Sequence, residues 1–174
     1  TRLYADGSLD NLFFPGVHPD NVISGVSLQT DNKILLIENN RYLTRLEMTG
    51  LTDVDFNQGQ SIDLSQYSPG VTIQGVITAP TSEGGIAVAG EYNIDEVNGL
   101  SVFFVLKFNS NGELDTSYNK DGIARFSSAD YHIDSQVSPI MSATNDIVIA
   151  TTQCDGCNTG VVLRFLLQED SDDD

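Results

Sequence analysis

Three groups of residues have types and spacings that could carry chemistry. Cys154-Asp-Gly-Cys157 sets two thiols around an Asp-Gly pair. Asp-Gly at the centre of a four-residue turn favours a type I′ hairpin, which opposes the flanking residues. A disulfide between Cys154 and Cys157 is therefore the leading reading, ahead of two surface thiols. A zinc site would need a further Cys or His pair, and the two histidines, His18 and His132, have no such spacing. A thioredoxin-like redox pair needs a βαβ setting that the chain does not offer. The disulfide implies an oxidising compartment: extracellular, cell surface or periplasmic.

The second group, Asn109-Ser-Asn-Gly-Glu-Leu-Asp115, superficially resembles a calcium loop. Lys107 stands where such a loop needs its first carboxylate, and an ammonium there opposes a divalent ion. Asp115 reads better as a turn cap, its side chain accepting nearby backbone N–H groups. Calcium is the single cofactor left open. The third group is His132, on a loop between Asp130 and Asp134, where a solvated loop histidine outweighs a catalytic one. The chain has no Gly-x-Ser-x-Gly elbow, no His-Glu-x-x-His and no phosphate-cradling loop. The expectation is a protein that is not an enzyme, with no catalytic, cofactor-binding or metal residue assigned.

The elements that position these residues are set by a repeat. Arg2–Phe13, Arg45–Phe56 and Lys107–Tyr118 share one skeleton: basic, apolar, three residues, Gly, two residues, Asp, two residues, aromatic. Gly7, Gly50 and Gly112 lie 43 and 62 residues apart, a period that indicates stacked or radial repeats. Gly supplies the backbone freedom of the turn, Asp10, Asp53 and Asp115 cap it, and Phe13, Phe56 and Tyr118 pack at its edge.

Residues 2–13 and 107–126 resemble the delta-60 repeat of large bacterial surface and secreted proteins. Gln29-Thr-Asp-Asn-Lys-Ile-Leu-Leu-Ile37 is similar to that family's QxDGKIxV segment, with Asn32 where the family has Gly, and Val97-Asn98-Gly99 matches a loop the family often carries. The likeness extends to about Phe165. It implies a β-propeller-like architecture and brings no catalytic residues.

Between the motifs run segments of 4 to 8 residues rich in Val, Ile and Phe, bounded by Gly, Asn, Asp or Ser, and no window keeps a 3.6-residue period. The pattern predicts an all-β domain over residues 1–168, made of repeated four-stranded antiparallel meanders and about three propeller-like blades. A compact β-sandwich-like relative is the alternative. Residues 34–37, 86–89 and 147–150 are continuously apolar, as expected of strands covered on both faces. Short fourth strands are expected at residues 13–17, 61–64 and 123–126, the first completing the last blade across the termini. Residues 102–106 and 161–167 are candidates for exposed terminal faces.

Twenty-five acidic against 8 basic residues leave a net charge of −17, which disfavours nucleic acid and anionic membrane surfaces. Part of that charge is the tail at residues 169–174, expected to be disordered. No apolar stretch approaches a membrane span of about 20 residues. The chain begins at Thr1 inside a motif, which reads as a processed or trimmed piece and makes a missing signal segment uninformative. Three blades cannot close a ring, so a homodimer or the remainder of a larger propeller is expected. The functional expectation is a secreted or cell-surface module presenting blade loops to a protein or glycan partner; a hydrolase or lyase with an axial site is the alternative.

Overall fold

A computed structural model describes residues 1–14, 16, 20–67, 73–80, 84–95, 100–128, 138–141, 146–154 and 158–166. Among them the chain is all β, with three short 3-10 turns. The first sheet holds β1 (Ile23–Leu28), β2 (Ile34–Glu38), β3 (Tyr42–Leu46) and β4 (Ile62–Asp63). The second holds β5 (Ile73–Pro80), β6 (Ile86–Asp95), β7 (Leu100–Phe108) and β8 (Ile123–Ser128), and the third β9 (Ser138–Met141), β10 (Ile147–Cys154) and β11 (Asn158–Phe165). Each is an antiparallel meander in sequence order. Strand β5 lies beside β1 on one side and β9 on the other, so the leading strands of the three sheets are neighbours, as in propeller blades. The meander repeats even in its irregularities: a register shift falls between Ile23 and Gly25 in β1 and between Ile73 and Gly75 in β5.

Two of the continuously apolar strands, β2 and β6, are buried along residues 35–37 and 86–89, and the reason is blade stacking; the side chains of residues 147–150 lie outside the described ones. Leu35 and Ile37 join Ile86, Val88, Phe104, Leu106 and Phe108 in one core between the first two sheets. Ala87, Ala89, Phe103 and Val105 point to the other face of the second sheet and are equally buried. At about 25 cal/mol per Å² of apolar area, that two-sided burial is the main force joining the blades. Residues 102–106 are therefore interior and not an exposed terminal face, because the second sheet has a neighbour on each side.

Among the described residues of the expected closing strand at 13–17, none is in a strand. Phe13, Phe14 and Gly16 carry no strand pairing, and the amides of Phe14 and Gly16 donate to the carbonyls of Thr49 (3.2 Å) and Gly50 (2.7 Å). That segment is spent joining the first motif to the second, and the third sheet has three strands among the described residues. The fourth strand of the first sheet shrinks to Ile62–Asp63, because the carboxylate of Asp63 takes the amide and hydroxyl of Ser65 and starts a 3-10 turn over Leu64–Tyr67. Strands β6 and β7 instead run longer than the apolar pattern, through Asp95 and from Leu100, carried by the hydrogen-bond ladder. The acidic tail lies outside the described residues.

Candidate functional site

Each motif folds into the same small turn. The amides of Gly7, Gly50 and Gly112 donate to the carbonyls of Tyr4, Glu47 and Asn109, and all three glycines have left-handed φ (85°, 91° and 89°). The Asp side chains cap as expected, Oδ1 of Asp10, Asp53 and Asp115 accepting the amide two residues on. What the sequence reading missed is the basic residue eight positions earlier. Arg2 pairs with Asp10 (Nη2–Oδ2 2.5 Å), Arg45 with Asp53 (Nε–Oδ2 2.6 Å) and Lys107 with Asp115 (Nζ–Oδ2 3.1 Å). The signal was present, since the basic residue was part of the skeleton, but nothing in one strand says that it points back at the Asp.

Environment then tunes each pair. Burial alone would raise the Asp53 carboxyl, yet Lys33, the Asp55 amide and Arg45 together hold it at about 2. The Leu12 amide and Arg2 hold Asp10 below the usual carboxylate range, and the Ser117 hydroxyl, aided by Lys107, does so for Asp115. Loss of water around Tyr118 pushes its phenol up to about 12. These groups are fixed in one protonation state near neutrality and serve as struts.

The motifs also grip one another by a rule. Arg2 Nη1 donates to the Met48 carbonyl (2.5 Å), and Arg45 Nη1 donates to the Ser110 carbonyl (2.7 Å), the same position of the following turn. The Phe14 amide reaches the Thr49 carbonyl as the Asn57 amide reaches Asn111 (2.8 Å). The aromatic closes the joint: a Cβ built on Gly50 would lie 3.0 Å from the Phe13 ring, and one on Gly112 3.1 Å from the Phe56 ring. The turn glycine thus does two jobs, supplying a left-handed backbone and admitting the preceding repeat. A Cβ built on Gly7 would meet nothing within 4 Å.

A further buried acid, Glu38, was not foreseen. Its two oxygens accept from Asn21 Nδ2 and Thr44 Oγ1 (2.6 Å), fastening the end of β2 to the preceding loop and to β3. Beside the third motif lies a cleft of about 330 Å³ bordered by Gly85, Lys107, Asn109, Asn111 and Asp115. Among the described residues no three His, Cys, Asp or Glu side chains converge to hold a metal. His18, His132 and Cys157 lie outside the described residues. The register opposes Cys154 to Asn158, and residues 155–157 between them lie outside the described residues.

Stacked antiparallel meanders with adjoining leading strands, joined by one repeated turn, define a β-propeller-type repeat domain. Residues 82–118, which span β6, β7 and the third motif, match the model of a family described as a domain of unknown function (DUF5122) beta-propeller, a delta-60-repeat-like family. No curated protein matches the chain significantly.

Proposed function

We propose that the chain is a non-enzymatic interaction module of a secreted or cell-surface protein, presenting its blade loops to a protein or glycan partner and assembling through its own repeat joint. The observation that supports it is the uncovered joint at the first motif. Gly7 keeps the shape of Gly50 and Gly112, but among the described residues no aromatic ring or amide meets a Cβ built on it. Around it Leu3, Leu9 and Leu12 are exposed, and Val22, Val26 and Leu28 extend the patch along β1. Apolar patches of this kind usually mark interfaces.

The other half of the joint stands at the opposite end. Arg164 occupies on β11 the place of Arg45 on β3 and Lys107 on β7. It pairs with Asp146 through Nε and Nη2, while its Nη1 has no acceptor among the described residues. Val162 and Leu166 are exposed beside it. The occupant of the Gly7 end is a second copy, whose Arg164 Nη1 donates to the Ala5 carbonyl as Arg2 does to Met48. Two such junctions close a two-fold ring of six blades.

Light scattering coupled to size exclusion tests this reading. The expected mass is twice 18.9 kDa, reduced to one chain by Leu9→Lys together with Val26→Glu. Gly7→Ala, whose Cβ meets no atom within one chain, should also dissociate the pair. A well-folded wild-type chain that stays monomeric at high concentration overturns the assembly.

A further inference from the structure

The register makes Lys33, Gly85 and Asp146 equivalent: each precedes the second strand of its sheet, whose first residue pairs with the residue after the motif's basic side chain. In the first blade Lys33 sends its ammonium to Asp53 Oδ2 (2.8 Å) and Glu47 Oε1 (3.1 Å), so Asp53 holds two cations, Lys33 and Arg45. In the third blade Asp146 supplies a carboxylate to Arg164. In the middle blade the position is Gly85, which borders the cleft beside Asp115. Asp115 Oδ1 accepts from Ser117, and among the described residues Oδ2 faces one cation, Lys107, against two at Asp53.

Backbone geometry does not demand this glycine. The left-handed residue of the turn is Gly84 (φ 77°), matching Asn32 (φ 66°) in the first blade, and Gly85 itself has ordinary φ. Its lack of a side chain does nothing for the turn. We infer that the Gly85 cleft is a subsite for a primary ammonium group on a short alkyl chain, bound against Asp115 where Lys33 binds Asp53 in the first blade.

Asn109, in the place of Glu47, offers a carbonyl oxygen where the first blade offers a second carboxylate. The ligand thus joins Lys107 as a second cation on one carboxylate, and its affinity is correspondingly modest. It is on the order of millimolar, the scale of one charged hydrogen bond plus a few buried methylenes. The chain's charge of −17 adds a long-range pull on any cation. The ammonium can come from a lysine side chain of a protein partner or from a free alkylamine. The subsite deepens the interaction-module reading and rests on it only for the first of these sources.

An amide-resolved NMR titration of the whole chain with n-butylammonium chloride, at fixed ionic strength, tests the subsite. Saturable shifts are expected at Asn109, Asn111 and Asp115, and none with n-butanol. Asp115→Asn should weaken binding about tenfold or more. Gly85→Lys fills the cleft from within: it should fold, raise Tm and abolish the response, which decides the matter even if Asp115→Asn does not fold. No saturable shift across the millimolar range, or a Gly85→Lys chain that responds like wild type, overturns the subsite. A blocked Gly-Lys-Gly peptide binding at least as tightly as the amine supports a protein partner. Amine binding without peptide binding leaves the subsite standing and removes this support from the interaction-module reading.

Discussion

Asp53 carries two cations on one oxygen, and its fully covered side chain makes it the clearest residue-scale test. Its folded pKa of about 2 lies below the unfolded value near 3.9. Ionised Asp53 therefore adds stability that is fully present above about pH 4 and lost as pH falls through about 2. Denaturant titrations at stepped pH should show that acid limb, and Asp53→Asn should flatten it. The same variant strands Arg45 and Lys33 without their carboxylate and should cost about 3–5 kcal/mol. A loss below about 1 kcal/mol, the scale of an exposed pair, would mean the cluster is solvent-screened. The turn glycines separate two effects. Gly7→Ala in the monomer meets only the left-handed backbone cost, about 1–2 kcal/mol. Gly50→Ala adds a Cβ 2.7 Å from the Phe14 carbonyl oxygen and should cost at least about 1 kcal/mol more.

At the scale of elements, the joint between motifs rests on its aromatic. Phe56 is buried in the core between the first two sheets, carries Arg45 over its face at 4.6 Å and touches the third turn at Gly112. Phe56→Ala should cost about 3–5 kcal/mol, read as a lower denaturant midpoint with unchanged slope; a split transition would show that the blades unfold separately. The hairpin of β10 and β11 carries the thiols. In its register Cys154 faces Asn158, the residue that follows Cys157 in the sequence. A disulfide is still expected there, and intact-mass measurement with an alkylating reagent checks it. Two thiols alkylated without prior reduction would rule it out and remove the argument for an oxidising compartment.

For the whole molecule the dominant electrostatic fact is the charge of −17. The internal pairs are short-range and partly buried, so salt weakens them little, while self-repulsion among exposed carboxylates is long-range and is screened over about 10 Å at 0.1 M. Tm should therefore rise between low salt and physiological salt. A falling Tm would show that exposed ion pairs outweigh the repulsion.

The amino-acid order by itself determined the strand content, the motif turn with its left-handed glycine and capping Asp, and the double-sided burial of β2 and β6. All of these are local: periodicity, φ preference and side-chain capping act within a few residues. It could not determine which faces meet. Residues 102–106 are as apolar as any edge run, and only the neighbour on each side of the second sheet makes them interior. Residues 13–17 have strand composition, yet the second motif's carbonyls take the amides of Phe14 and Gly16 first. The pairing of Arg2, Arg45 and Lys107 with Asp eight residues on closes within one turn, whereas the grip of each motif on the next comes from long-range placement that no single repeat encodes. So does the Gly85 cleft: one glycine among 15 in the sequence stands out only when the register sets it in the place that Lys33 holds in the first blade.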